Sequence, residues 1–213
     1  SLLSSNSSVT QVLAAGATTP EALTSAFLVT ILSLVGIIAS IPGVQIMLKM
    51  RTEEMEDRVE PVMATKVIRS RYFASNVVLA LVAPAIFLII AGTLIATLAS
   101  TADIGVAFGD VLLQAVATVP AVWTVVAVAI AVVGARPQVT FAAWIGVLAS
   151  FGLTLLGPTF RLWDWILAIS PFWHIPNVTT ENPDWWGLLW VSLVTLLLVA
   201  IGFAGFRRRD LAR

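Results

Sequence analysis

Long uninterrupted runs of apolar residues alternate along the chain with short polar or charged segments. Five runs can each cross about 30 Å of hydrocarbon as a helix, which takes about 20 residues. None of the five contains Asp, Glu, Lys, Arg or His, and they cover residues 24–48, 76–99, 111–134, 139–157 and 187–206. The pattern predicts an all-α integral membrane fold with about five transmembrane helices, in a single transmembrane domain of residues 1–213.

Composition supports this class. The chain is 59% hydrophobic and 11% charged with a mean hydropathy of +0.97, whereas a soluble domain is about 25% charged. With one His and no Cys, the chain cannot build a structural zinc site or a disulfide scaffold. It begins at Ser1 without Met or a basic leader, so we expect it to be part of a longer protein.

The basic residues are distributed unevenly over the two predicted faces. Of the twelve Lys and Arg, only Arg161 falls on one face. The others share the opposite face: Lys49, Arg51, Arg58, Lys66, Arg69, Arg71, Arg136, Arg207, Arg208, Arg209 and Arg213. Loops rich in Lys and Arg stay in the cytoplasm. We therefore expect a multi-pass protein of the bacterial plasma membrane with its N-terminus outside and its C-terminus in the cytoplasm.

The spans also indicate how such a protein could be driven. Carriers coupled to protons or ions keep ionisable residues at membrane depth, and the predicted spans have none. The chain also has no GxxxxGK[ST] pattern for nucleotide binding. Energy for transport would therefore enter through a partner, and an apolar pathway suits an apolar or amphipathic cargo.

Residues 50–74 form a charged connection between the first two spans. Its acids and bases fall at helical spacings, with Arg58 four residues after Glu54, and Pro61 ends the pattern. The segment predicts a short cytosolic helix, which is either solvated or a docking surface whose mixed charges fix the register of a partner. The candidate partner-binding residues are Glu53, Glu54, Asp57, Arg58, Glu60 and Arg69.

The outer segment, residues 158–186, is the second unusual region. Six of the eight Trp lie in it or just beyond it, as expected at a membrane surface. Residues 162–169 are apolar but too short to span, which predicts a re-entrant or interfacial helix that ends before Pro171. The candidate residues are Trp163, Trp165, Ser170, Pro171, Phe172, His174 and Pro176.

Ser170 and His174, four residues apart, permit either a catalytic or a structural interpretation. Neither a GxSxG elbow nor an acidic orienting residue accompanies them, which favours a structural His. Small residues four apart, such as Ala39 with Gly43 and Gly146 with Ser150, indicate close helix crossings. Prolines within the spans, Pro42, Pro84 and Pro120, predict kinks or hinges, and kinks are the favoured interpretation.

Several short motifs occur in a recognisable order. They are Glu53-Glu54, Arg58, Glu60, Ala64-Thr65, Arg69 and Arg71; Pro120-Ala121 before Trp123; Arg136-Pro137; Ser170-Pro171-Phe172 with His174 and Pro176; and Arg208-Arg209-Asp210-Leu211. In this combination the chain resembles actinobacterial permeases of the ABC-2 type, in the tetronasin or polyketide-antibiotic exporter group. Asp57 stands where the family pattern has Gly.

The resemblance implies that this chain is the C-terminal half of a permease with two six-span halves. It also implies that the charged connection is a coupling helix that docks on a separate ATP-binding subunit, expected as a homodimer. The cofactors ATP and Mg²⁺ would belong to that subunit, with none in this chain. Further implied partners are the N-terminal half, membrane lipid and a hydrophobic small-molecule cargo, with no nucleic acid and no metal.

Three functions remain in consideration. The first is a permease subunit of an ATP-driven exporter of hydrophobic antibiotics, drugs or lipids, without a catalytic site of its own. The second is an ABC-type membrane subunit that transmits ATPase motion to an outer-face partner and moves no cargo. The third is an intramembrane enzyme acting on lipid, which would need clustered polar residues at one membrane depth, and the spans show no such cluster.

Overall fold

The computed structural model describes residues 20–55, 69–102, 106–139, 141–180 and 182–208. Its helices are α1 (Pro20–Met55), α2 (Arg69–Thr101), α3 (Phe108–Ala135), α4 (Ala142–Thr159), α5 (Asp164–Leu167) and α6 (Trp186–Arg208). Short 3₁₀ turns lie at Pro137–Val139, after α3, and at Pro171–His174, after α5. Within these ranges there is no strand, and five helices are long and apolar enough to cross a membrane. The predicted all-α fold is confirmed.

The first two helices extend well beyond the predicted apolar runs. α1 has 36 residues and α2 has 33, so each is about 50 Å long at about 1.5 Å per residue, against about 30 Å of hydrocarbon. Residues 49–55 carry charge but contain neither Gly nor Pro, and nothing in them stops the helix from propagating. Both helices therefore continue beyond their apolar runs into charged sequence.

Helix α3 is the centre of the bundle and contacts α1, α2, α4 and α6. Its sequence is dominated by Ala and Val, and buried residues occur all around its circumference. Small side chains allow neighbouring backbones to approach closely in an apolar environment. On α2, by contrast, large apolar side chains such as Leu79, Phe87 and Leu98 face outward, as expected of a surface that meets lipid.

The closest crossing joins α3 to α6. A Cβ on Gly134 would overlap the backbone of Gly202, and a Cβ on Gly202 would lie 2.7 Å from the Ile130 carbonyl oxygen. Further along, the hydroxyls of Thr124 and Thr195 share a buried hydrogen bond of 2.7 Å. We refer to this contact as the α3–α6 seam, formed by Thr124, Ile130, Gly134, Ala135, Thr195, Gly202 and Gly205.

The proline within α2 explains a second close crossing, with α1. Pro84 has no N–H to donate to the Ala80 carbonyl, and that oxygen would lie 2.5 Å from a Cβ built on Gly43. Gly43 therefore fits against the turn that the proline disrupts, and the nearby Leu81 carbonyl accepts a 2.9 Å hydrogen bond from the Trp123 indole. Each of α1, α2 and α3 continues through its internal proline.

Helix α4 changes its winding midway. Residues Ala142–Phe151 are α-helical, Gly152–Leu156 form a π-helical segment, and Gly157–Thr159 make a final turn. Segments of π-helix are rare and occur frequently at functional sites. Gly157 is buried, and a Cβ on it would overlap the side chain of Leu167 in α5. This contact places the outer segment directly against the last turn of α4.

Candidate functional site

At the charged end of the bundle, polar side chains connect the end of α1 to the start of α2. The Tyr72 hydroxyl donates to Glu53 Oε2 at 3.1 Å, and Lys49 Nζ lies 3.9 Å from Glu53 Oε1. Arg51 and Glu54 form an ion pair at 3.4 Å, with their side chains 21% and 12% exposed. We call these five residues the charged junction.

The structure places part of the predicted coupling segment in this junction. Glu53 and Glu54 belong to the last turn of α1, and Arg69 is the first residue of α2. The described partner of Glu54 is Arg51. Asp57, Arg58 and Glu60, together with the expected pair of Glu54 with Arg58, lie outside the described residues. The docking role of the segment stays a prediction.

Aromatic packing supports the charged junction from within the bundle. Phe73, one residue beyond Tyr72, is fully buried. Its ring stacks on Phe206 with centroids 4.4 Å apart and meets Phe203 edge-on at 4.9 Å. The start of α2 is therefore attached to the end of α6 by aromatic contacts and to the end of α1 by the Tyr72–Glu53 hydrogen bond. A displacement of the junction would act on three helices together.

At the opposite end, one glutamine holds the outer segment to α3. The buried Gln114 side chain donates from Nε2 to the Pro176 carbonyl at 3.0 Å and accepts from the Val178 amide at 3.0 Å. Asn177 Nδ2 lies 3.5 Å from the Ser25 hydroxyl of α1. The outer segment is thus bonded through its backbone to the central helix, which sequence reasoning did not anticipate.

The helix expected at residues 162–169 is present only as the single turn α5. Trp163 is extended and begins the turn. Ser170 is also extended, because Pro171 disfavours α-helical geometry in the residue before it. Trp163 and Trp165 are exposed, with ring centroids 6.3 Å apart. Phe172 and Pro176, in contrast, are buried against the bundle.

Ser170 and His174 have different hydrogen-bond partners. The Ser170 hydroxyl lies 3.2 Å from the Thr154 hydroxyl and accepts from the Phe172 amide at 3.4 Å. His174 Nε2 lies 2.9 Å from the Ala168 carbonyl oxygen, which makes Nε2 the protonated nitrogen. A Cβ on Gly187 would overlap the His174 carbonyl. His174 therefore ties α5 and the start of α6 together.

A cleft of about 250 Å³ lies between α1, α4 and the outer segment. Its apolar walls come from all three elements: Val29, Leu153, Pro158, Leu167, Phe172, Trp173 and Ile175. Thr30, Ser33, Thr154 and Ser170 add hydroxyl groups. Thr30 and Trp173 are exposed while Ser33 and Ser170 are buried, so the cleft opens sideways and closes toward α3. The lining residues, all in the described chain, include no charged or titratable side chain.

Sequence reasoning named Ser170 and Phe172 of this cleft but missed its other contributors. Ser33 and Thr154 lie in apolar runs where isolated hydroxyl residues are common, and nothing in the sequence indicates that the two helices bring them together. Gln114, in contrast, could have been identified from the sequence as a residue that needs hydrogen-bond partners. An amide within an otherwise apolar run must find partners away from water, and Gln114 lies inside the predicted third span.

These features define an all-α, multi-pass membrane protein, with a charged junction at one end of the bundle and a lateral cleft near the other. The chain belongs to the family described as the multidrug efflux system permease Rv1217c, C-terminal domain, whose model matches residues 1–207.

One curated relative is the multidrug efflux system permease protein Rv1217c of Mycobacterium tuberculosis (strain ATCC 25618 / H37Rv). It is 33% identical to this chain over 192 residues, which cover 89% of this chain and 35% of the relative. The chain therefore spans about a third of that protein's length.

Proposed function

We propose that this chain is part of the permease of an ATP-driven exporter of the ABC-2 type, which moves hydrophobic antibiotics, drugs or lipids out of the cell. The observation that carries the proposal is membership of the Rv1217c family across residues 1–207. The relative's name describes a multidrug efflux permease. The apolar bundle and its uncharged cleft fit a hydrophobic cargo.

In this proposal the chain supplies no catalytic site, and ATP with Mg²⁺ is bound and hydrolysed by a separate subunit, which we expect to be a homodimer. The resemblance to the tetronasin and polyketide-antibiotic exporters adds the expectation of an N-terminal permease half. The charged residues from Glu53 to Arg69 would face the ATP-binding subunit in the cytoplasm. The Trp-rich outer segment would lie in the outer headgroup zone.

The charged junction suggests how nucleotide-driven motion would enter the bundle. The two acids in the last turn of α1 already have partners within this chain: Glu53 bonds to Tyr72 and Glu54 pairs with Arg51. Docking would therefore depend on Asp57, Arg58 and Glu60, while the Tyr72–Glu53 hydrogen bond holds the end of α1 to the start of α2. A displacement of the segment would pass from α1 to α2 through the Tyr72–Glu53 hydrogen bond and to α6 through Phe73. It would bias a two-state equilibrium of the bundle.

A pull-down in detergent tests the partner. The full-length permease is co-expressed with its neighbouring ATP-binding protein, as wild type and as Asp57→Lys combined with Glu60→Lys. The control is Asp164→Lys, an acid reversal at the outer end of the bundle, where Asp164 is exposed. We expect the ATP-binding protein to co-purify with the wild type and the control but not with the double variant. Equal recovery with all three would contradict a docking role.

Drug accumulation tests the transport step. Cells that express the full permease and the ATP-binding protein should accumulate less of a hydrophobic antibiotic than cells with an ATPase whose Walker A lysine is replaced. Unchanged accumulation, with the complex still assembled, would favour the alternative in which the membrane subunit transmits ATPase motion to an outer-face partner and moves no cargo.

A further inference from the structure

The lateral cleft combines a small set of hydroxyl groups with apolar walls. From the residues that line it, we infer that the cleft is a binding subsite for a neutral, mostly apolar molecule that presents a carbonyl or ether oxygen to the Thr154–Ser170 pair. This inference rests on the proposed export function and adds the chemical class of ligand that the permease would select.

The Thr154–Ser170 pair has an unused donor. The two hydroxyls lie 3.2 Å apart and share one hydrogen bond, which takes one of their two hydrogens. Ser170 Oγ also accepts from the Phe172 amide. Among the described residues, no acceptor is bonded to the remaining hydroxyl hydrogen. Because an unpaired donor in an apolar cleft costs free energy, a ligand oxygen placed there would be bound favourably.

Across the cleft, Ser33 offers a hydrogen-bond acceptor. Its hydroxyl donates to the Val29 carbonyl of its own helix at 2.8 Å, which leaves the oxygen free to accept. Ser33 is only 3% exposed, so water competes weakly for this oxygen. A ligand with a hydroxyl near its carbonyl could therefore satisfy both walls at once.

The walls exclude charged ligands and limit size. No Asp, Glu, Lys, Arg or His lines the cleft in the described chain, and an ion without a counter-charge is strongly disfavoured in such a place. The volume of about 250 Å³ is below the range of about 300–1,000 Å³ for whole ligand pockets. The cleft therefore holds one segment of a drug-sized molecule whose remainder extends through the lateral opening past Thr30.

The π-helical segment of α4 is what presents Thr154 to the outer segment. Thr154 is the middle residue of Gly152–Leu156, and it bonds to Ser170, which lies sixteen residues later in the chain. Rewinding this segment to α-helix would rotate Thr154 relative to the residues before it. The site thus depends on the irregular winding of α4.

Photolabelling of the full-length permease in nanodiscs tests the inference. Two probes are used: a long-chain ketone that carries a diazirine, and the matched alkane diazirine without the carbonyl. Labelled peptides are quantified by mass spectrometry over residues 152–158 and 167–175. One neutral hydrogen bond corresponds to about fivefold to tenfold in affinity. We therefore expect about fivefold to tenfold more labelling of these peptides by the ketone than by the alkane.

The variants locate the bond. Thr154→Val combined with Ser170→Ala removes both hydroxyls and should bring the ketone to the level of the alkane, whereas Thr154→Ser keeps a hydroxyl at both positions and should preserve the difference. Thr93→Val, which changes a half-buried threonine on α2, is the matched control and should behave as wild type. Should the double variant not insert, competition in the wild type is the second measurement: an excess of ketone without the diazirine should lower labelling by the ketone probe more than an equal excess of alkane does.

Equal labelling by both probes in the wild type, or an unchanged preference when both hydroxyls are removed, would overturn the inference. The experiment contains neither nucleotide nor the ATP-binding subunit. A failure here therefore differs from a failure of the export proposal, which is measured by ATP-dependent accumulation and co-purification.

Discussion

The α3–α6 seam and the lateral cleft are both built from apolar helices with scattered small and hydroxyl residues, yet they are packed in opposite ways. At the seam, glycines bring two backbones into contact and the Thr124 and Thr195 hydroxyls bond to each other. At the cleft, Ser33 and the Thr154–Ser170 pair face about 250 Å³ of open volume. Similar residue types thus seal one crossing of the bundle and leave the other open.

This difference indicates that the winding of the helices and the position of the outer segment determine which crossing is tightly packed and which contains a cleft. α3 and α6 are regular along their contact, so small residues align in register. α4 changes to π-helix beside α1, and the outer segment, held by Gln114, covers the top of the gap. We expect the seam to respond to substitutions in stability and the cleft to respond in binding and transport.

The largest expected effect comes from Gly134→Ala at the seam. The new Cβ would overlap the Gly202 backbone, which cannot move aside like a flexible side chain, and overpacking costs about 1–3 kcal/mol of the free energy of unfolding. Thermal unfolding of the purified full-length permease measures the loss. Gly152→Ala in α4 is the matched control, because nothing lies within 4 Å of its Cβ position. Equal losses from both substitutions would remove the contrast between seam and cleft.

The second-largest effect is expected from Gln114→Leu, which should weaken the attachment of the outer segment to α3 beside the cleft. The Pro176 carbonyl and the Val178 amide would lose their partner, at a cost of about 1–3 kcal/mol. Hydrogen exchange of residues 170–180 should then accelerate while α3 and α6 stay protected. The control is Gln45→Leu, which changes an exposed glutamine of α1. If both variants exchange alike, Gln114 does not anchor the outer segment.

A smaller effect is expected for the threonine pair at the seam. In a double-mutant cycle with Thr124→Val and Thr195→Val, the coupling free energy should be about 0.6 kcal/mol, the usual value for hydrogen bonds between membrane helices. The control cycle combines Thr124→Val with Thr154→Val. It should show no coupling, since Thr154 bonds to Ser170 and not to Thr124. A coupling of zero for the first pair would mean that glycine contacts alone hold the seam.

The smallest expected change in stability is that of Ser33→Val in the cleft. The added methyl groups have open volume to occupy, and we expect the free energy of unfolding to change by less than about 0.5 kcal/mol. Antibiotic accumulation in cells should rise, because the subsite is narrowed. Ser40→Val, on the same helix but fully buried in the core, should instead destabilise by about 1–3 kcal/mol. Similar stability losses for both would show that the cleft is not open space.

Several features were predictable because they depend on local chemistry. Five apolar runs became five long helices, and Gly43 marked a close approach, as its contact with the Ala80 carbonyl shows. The helices α1 and α2 continue past the predicted apolar runs, because a charged sequence without Gly or Pro continues a helix. Glu53 was named as a docking residue, whereas its contact with Tyr72 requires the folded arrangement of α1 and α2.

The sequence by itself determined that this protein is helical, crosses a membrane and carries eleven of its twelve Lys and Arg in the segments on one face, because length, hydropathy and the order of the spans suffice for those properties. The tertiary structure alone decided which faces are buried, that α3 is central, and that Ser33, Thr154 and Ser170 meet in a cleft. The physical reason is that lipid is as apolar as the protein interior. Hydropathy does not separate buried faces from lipid-facing ones in a membrane, and shape and close packing make that distinction.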